Sequence, residues 1–459
     1  MSSPVSRFSC PMALLPDGWA RDVVIDVGGD GRIASLASGP MSGEGERLSG
    51  PVVPALADLH SHAFQRAMAG LAERAGPGDD SFWTWRSQMY RIVGRMTPDD
   101  VEAIAAKLYV ELLKGGFSHV AEFHYLHHGA GGVPYRDPAE TSHRILAAAA
   151  RTGIGLTHLP VFYAHSNFGG AEPGEGQRPF LHDVDGFLSL LERLAPACGT
   201  AGATLGLALH SLRAATPDEV RAILGAETTG GPIHIHVAEQ EREVEECLAW
   251  CGRRPVEWLL DEMDVDPRWC AIHATHMTPD ETARLAASGA VAGLCPATEA
   301  NLGDGIFPAT AYRAAGGRFG IGTDSHVATS VAEELRLLEY GQRLRDRRRN
   351  RLVAGPGASV GRTLFEAALA GGAQACGRAV HGLRVGAPAD LVVLDGNHPF
   401  VAAAAEGEGE DTLLDRWIFA APDVLRDVLV GGRVVIRDRR HADEDAIDAA
   451  FLKALRRLQ

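Results

Sequence analysis

The stretch Val52-Val-Pro-Ala-Leu-Ala-Asp-Leu-His-Ser-His-Ala-Phe-Gln65 is an apolar, strand-like run that ends in His60-x-His62. Successive side chains of a β-strand alternate faces, so His60 and His62 point the same way and can grip one cation. Imidazole pairs suit zinc, iron or nickel. An isolated His-x-His reads equally well as two polar residues at a solvent-facing strand end. The meaning of the pair therefore depends on ligands elsewhere in the chain.

Working outward, eight strand-like apolar runs centre near residues 55, 120, 157, 207, 234, 271, 293 and 321, each followed by polar or helical sequence. The helix-like stretches Pro98 to Leu113, Pro138 to Arg151 and Pro279 to Ala287 begin with proline beside a capping Thr or Asp. This alternation predicts an α/β fold, a (β/α)8 TIM-like barrel over residues 53–380. Short strands separated by Gly28-Gly-Asp-Gly31 occupy residues 21–36, and similar ones return at Ala389 to Asp395 and Val428 to Ile436, flanking a Gly/Glu-rich segment at 405–411. Residues 1–52 and 381–459 are thus expected to build one small β-sandwich from both termini, with a helix closing the chain from Glu444.

Functional residues of such barrels sit where strands end, because the βα loops meet at the C-terminal mouth. The fifth run, Gly231-Pro-Ile-His-Ile-His-Val-Ala-Glu239, places His236 nearest its end. The sixth ends at His273 with His276 three residues on, and the eighth, Phe319-Gly-Ile-Gly-Thr-Asp324, ends in a carboxylate. Closure makes strands one and eight neighbours, so His60, His62, His236 and Asp324 converge. Three imidazoles and a carboxylate favour one divalent ion, zinc or ferrous iron. His234 and His276 read as supporting or packing groups, and Asp324 taken alone reads as a helix N-cap.

Bulk properties narrow the partners. A net charge of −15 argues against nucleic acid, which needs a basic footprint, and the basic run Arg343 to Arg351 follows Glu333, Glu334 and Glu339 as an ion-paired helix face. No apolar run reaches the roughly 18 residues that span a bilayer. Residues Met1 to Trp19 lack a signal pattern, and the seven cysteines follow no disulfide or zinc-ribbon spacing, so a reducing cytoplasm is expected. Lysine is scarce: Lys107, Lys114 and Lys453 stand against 41 arginines, and none ends a strand-like run.

With these residues in place, the chain resembles the amidohydrolase superfamily over nearly its full length: His-x-His after strand one, His after strands five and six, Asp after strand eight. Binuclear members of that superfamily bridge two metals with a carboxylated lysine from strand four, and here that segment is Leu205-Gly-Leu-Ala-Leu-His-Ser-Leu-Arg213. The resemblance therefore implies the mononuclear, deaminating branch, with Glu239 as proton shuttle in its His-x-x-Glu motif. Asp324 is then expected to take a proton from metal-activated water, and His273, or else His276, to stabilise the tetrahedral intermediate.

Further segments are similar to the formimidoylglutamate deiminase family: Leu59 to Gly70, Phe82-Trp-Thr-Trp-Arg-Ser-Gln-Met-Tyr90, Glu122-Phe-His-Tyr125, His210-Ser-Leu-Arg213 and Cys295 to Gly305, the last with Ala297 where the family has threonine. This likeness implies hydrolysis of N-formimino-L-glutamate to N-formyl-L-glutamate and ammonia, a homodimer, and substrate binding by Gln65, Arg86, Tyr125, His210 and Arg213. The charge pattern points the same way, since a dianion in an acidic protein needs local guanidinium groups. Two alternatives are deamination of an aromatic base such as guanine on the same metal site, and a barrel that serves only as a scaffold. The scaffold reading is disfavoured by the complete ligand set.

Overall fold

The computed structural model describes residues 6–39, 44–75, 80–405 and 409–458. The chain's first residues and part of the Gly/Glu-rich segment at 405–411 lie outside the described residues. Eight parallel strands form the barrel: β1 (Leu56–Ser61), β2 (Phe117–His124), β3 (Gly155–Phe162), β4 (Leu207–Ser211), β5 (Ile233–Val237), β6 (Trp269–His273), β7 (Val291–Leu294) and β8 (Arg318–Ile321). Each falls on one of the eight apolar runs. Four helices bear on the site: α1 (Phe82–Val93), α2 (Pro98–Lys114), α3 (Glu241–Cys251) and α4 (Val360–Ala375). Helix α2 starts as its sequence demands. Thr97 accepts from the Asp100 amide, Asp100 returns a bond to the Thr97 amide, and Pro98 occupies the first turn.

The strands contributed by both termini form a single nine-stranded sheet around its own core of Phe8, Val23, Ile25, Val393 and Leu429. The first strand, Ser6–Leu15, is not among the expected elements: Phe8, Cys10, Met12 and Leu14 alternate inward as a strand requires, but Pro11 within the run argues against one, and it stands on the exposed face. Its turn was nonetheless written in the chain. Pro16-Asp17-Gly18 is a turn sequence, and Leu15 pairs with Gly18 across it. Val52–Pro54 is held between this strand and Leu391–Leu394, and the chain enters β1 two residues later. The opening segment therefore belongs to both sheets.

The barrel closes by a seam between β1 and β8. Ser61 and Asp324 form a parallel bridge, the Asp324 amide donates to the His60 carbonyl at 2.9 Å, and Asp58 accepts from the Thr323 amide at 3.0 Å. Behind the seam, α4 presses Gly371 and Gly372 onto β8 and β1. A Cβ on Gly371 would collide with the Phe319 carbonyl, and one on Gly372 would stand 3.0 Å from the Ala57 oxygen. Two glycines inside a helix cost about 1 kcal/mol each in propensity, and close backbone approach explains their presence. Gly371→Ala is expected to destabilise the protein by about 1–3 kcal/mol through overpacking, seen as a lower thermal midpoint in calorimetry. An unchanged midpoint would contradict this account of the seam.

Candidate metal and active centre

Every residue the sequence marked out reaches one end of the barrel. His60 and His62 leave β1, His236 lies on β5, His273 ends β6 and Asp324 follows β8, all of them buried. Asp324 Oδ1 stands 3.5 Å from His60 Nε2 and 3.3 Å from His62 Nε2, while His236 Nε2 lies 3.0 Å from His60 Nε2. Two tautomers follow from the neighbours, because a carbonyl can only accept. His62 Nδ1 donates to the Phe123 carbonyl at 3.0 Å and His236 Nδ1 to the His210 carbonyl at 2.8 Å. As neutral rings, His62 thus turns an unprotonated Nε2 towards Asp324 and His236 one towards His60.

Converging lone pairs beside a carboxylate are unfavourable without a cation among them. Burial reinforces the point by holding the His60 and His236 imidazoles well below their usual range, so they stay neutral. Among the described residues, His60, His62 and Asp324 form a donor set within 4.8 Å, and so do His60, His236 and His273. Backbone carbonyls behind ligand histidines are the usual way to fix such rings. The donor set fits a divalent metal of borderline hardness.

Next to this set, His273 Nε2 lies 3.8 Å from both Glu239 Oε1 and Asp324 Oδ2. Burial opposes charge on His273, yet Glu239, Glu299 and Asp324 together push its affinity for a proton up. Glu239 is buried too, and that burial pushes its carboxyl up, towards the neutral acid. His276 takes no part, since its Nε2 donates to the Asp304 carbonyl at 2.8 Å. The strand-six histidine is therefore His273. His234 is likewise a packing group, bonded to the Ala375 carbonyl at 2.8 Å.

Backbone strain marks the same mouth. Ala238, His273, Ala274, Asp324 and His326 all have positive φ between 47° and 66° without being glycine. Such conformations cost about 1–2 kcal/mol each and persist where surroundings enforce them. They turn the chain sharply at the ends of β5, β6 and β8, which aims the side chains inward.

A cavity opens from this centre, lined by His62, His236, Asp324, Glu239 and His273 together with Gln65, Arg86, Tyr125, His210 and Arg213. The five expected substrate residues thus share one cavity with the metal donors. Gln65 Nε2 donates to Tyr125 Oη at 2.9 Å, leaving its Oε1 without a partner. Arg213 is 5% exposed, and its Nε has no partner. Among the described residues no carboxylate oxygen lies within 4.0 Å of Arg213 or Arg86, although the chain forms many other ion pairs. Instead both guanidinium groups face the Trp83 ring, Arg86 at 4.4 Å and Arg213 at 5.7 Å.

Sequence reasoning missed part of the wall. Tyr163, Phe180, Tyr90 and Met89 line the cavity, and Glu299 accepts from or stands against His273 Nδ1 at 3.3 Å. Tyr163 follows β3 directly and could have been found by the strand-end rule. Phe180 sits on a loop far along from any strand end and gave no signal.

The fold and the donor set define a metal-dependent hydrolase of the amidohydrolase class, and the amidohydrolase family matches residues 52–435. Residues 11–50 match the N-terminal domain of the formimidoylglutamate deiminase HutF. A formimidoylglutamate deiminase of Pseudomonas aeruginosa is 56% identical over 98% of this chain and 99% of its own length. The chain therefore belongs to the formimidoylglutamate deiminase family of amidohydrolases. A crystal structure of an amidohydrolase from Brucella melitensis superposes with a TM-score of 0.94 at 52% identity, covering 99% of both chains. More distantly, a 5-methylthioadenosine/S-adenosylhomocysteine deaminase of Natronomonas pharaonis is 28% identical over 86% of this chain and 83% of its own.

If the centre is assembled as described, His236→Ala should purify with its bound metal lost, measured by plasma mass spectrometry against the parent. His234→Ala, two residues away on the same strand, should keep it. Equal metal content in both variants would remove His236 from the ligand set.

Proposed function

We propose that this protein hydrolyses N-formimino-L-glutamate to N-formyl-L-glutamate and ammonia, a step of histidine degradation. The observation that carries the reading is Arg213: a buried guanidinium with no acidic partner, opening with Arg86 onto the cavity that holds the metal donors. A buried, unpaired charge is costly, and a substrate carboxylate is the partner that relieves it. Two arginines match a substrate with two carboxylates, whereas an aromatic base offers neither group. The substrate is thus a small dianion, and the protein is proposed to act as a cytoplasmic homodimer without nucleic-acid or membrane partners. Among the described residues no helix is long and apolar enough to cross a membrane.

His60, His62, His236 and Asp324 would hold one divalent ion per subunit, most consistent with Zn2+ by its three imidazoles and one carboxylate, with Fe2+ as the alternative. When bound, such an ion lowers the pKa of a coordinated water from about 16 towards about 7. The chain's own groups do the rest. Asp324 accepts a proton from the attacking water at a carboxylate oxygen. His273, raised in proton affinity by its three carboxylate neighbours, donates a hydrogen bond to the water oxygen as it bonds to the formimino carbon. Glu239, held near the neutral acid by burial, protonates the imino nitrogen as the carbon–nitrogen double bond opens, and the resulting carboxylate then takes the proton of the new hydroxyl group. The proton held by Asp324 passes to the same nitrogen as the carbon–nitrogen bond breaks, so ammonia leaves, the carbonyl forms and both carboxyl groups return to their starting states. Arg86, Arg213, Gln65, Tyr125 and His210 hold the carboxylate ends and fix the formimino carbon against the centre.

Ammonia release should be measured in parallel with formiminoglutamate, formiminoaspartate and guanine. Turnover of formiminoglutamate is expected, and ammonia from guanine alone would overturn the proposal. Arg213→Met and Arg86→Met should each lower kcat/KM for formiminoglutamate by about 10- to 100-fold, the worth of a charge-assisted hydrogen bond at about 1.5–3 kcal/mol. Unchanged kcat/KM in both variants would show that the dianion is held elsewhere.

A further inference from the structure

Behind Glu239 lies a carboxylate that the proposed mechanism does not use. Glu243, in the first turn of α3, is completely buried. Its Oε1 accepts from the Ala238 amide at 3.1 Å and its Oε2 from the Glu239 amide at 3.2 Å. The turn it grips is the strained one, with Ala238 at φ +51° between β5 and Glu239. Gln240 secures the far side of the turn by donating to the buried Asp304 carboxylate.

Both Glu243 oxygens are thereby occupied by consecutive backbone amides of one turn.

We propose that Glu243 is a positioning residue: it holds the Ala238 turn that aims Glu239 into the cavity. The proposal rests on the reading of Glu239 as proton donor.

The test uses the full-length, metal-loaded enzyme and the variant Glu243→Gln, which keeps the size and puts an NH2 group where one of the two backbone amides needs an acceptor. With formiminoglutamate, kcat is expected to fall about tenfold while KM and metal content stay at the parental level. A group that merely supports the fold would move KM and metal content along with kcat.

Parental kcat in Glu243→Gln would overturn the proposal, as would a loss of metal or a rise in KM that matches the fall in kcat. Should that variant fold poorly, Glu243→Asp keeps the charge and withdraws the carboxylate from the two amides; it is expected to lower kcat severalfold at parental KM, and a parental kcat overturns the proposal. Glu239→Gln separates the two levels. Retained activity there sinks the proton-donor reading itself, whereas an inactive Glu239→Gln beside a parental Glu243→Gln sinks only the role of Glu243.

Discussion

Three imidazoles, two of them with unprotonated Nε2 atoms, and one carboxylate are forced together where the first and last barrel strands meet, and the rest of the molecule is arranged around that constraint. Left without a cation, these groups repel one another in a buried setting of low dielectric. The fold imposes the encounter through the β1–β8 seam: the Asp324 amide is fixed on the His60 carbonyl, and the His62 amide donates to the Asp324 carbonyl at 3.2 Å. Ligand backbone and barrel closure are therefore the same set of hydrogen bonds. Asp58 ties the seam further by accepting from both the Thr323 amide and its hydroxyl.

A second constraint is charge. The protein is strongly acidic, and its cavity gathers Glu239, Asp324 and, behind them, Glu243 and Glu299. Such a site would repel a dianion unless local cations reversed the field. Arg86 and Arg213 supply that reversal, and both are kept from pairing with the nearby acids. The Trp83 ring offers them a π-face in place of a carboxylate, which steadies the two groups without consuming their donors. Arg242 closes on the same ring at 4.5 Å from α3, so helix α1 is stitched to the far side of the mouth.

Much of this was legible in the chain. The eight apolar runs became the eight strands, because parallel barrel strands buried on both sides must be continuously apolar. The strand-end histidines and Asp324 were legible because ligand types are rare at the ends of such runs. The first strand of the terminal sheet is harder to see, since Pro11 within it argues against a strand although the inward face, Phe8, Cys10, Met12 and Leu14, is unbroken. Phe180 was invisible for a different reason: it reaches the cavity on a long loop whose path depends on contacts with the segment after β2, where the His127 and His128 amides both donate to the Pro179 carbonyl. Loop paths carry no periodicity, so pattern reading cannot place them.

By itself the sequence determined the barrel and put forward the candidate metal donors and two candidate arginines, because periodicity and residue chemistry are local properties. Only the tertiary structure decided which strand-six histidine serves the site: His273 and His276 lie three residues apart, and a left-handed turn at His273 and Ala274 sends one ring to Asp324 and the other to the Asp304 carbonyl. It also decided that Arg213 is unpaired and that Glu243 grips the turn before Glu239. These are relations between residues on different loops or across a turn, fixed by the closing of the barrel and the packing of α3, and no spacing along the chain encodes them.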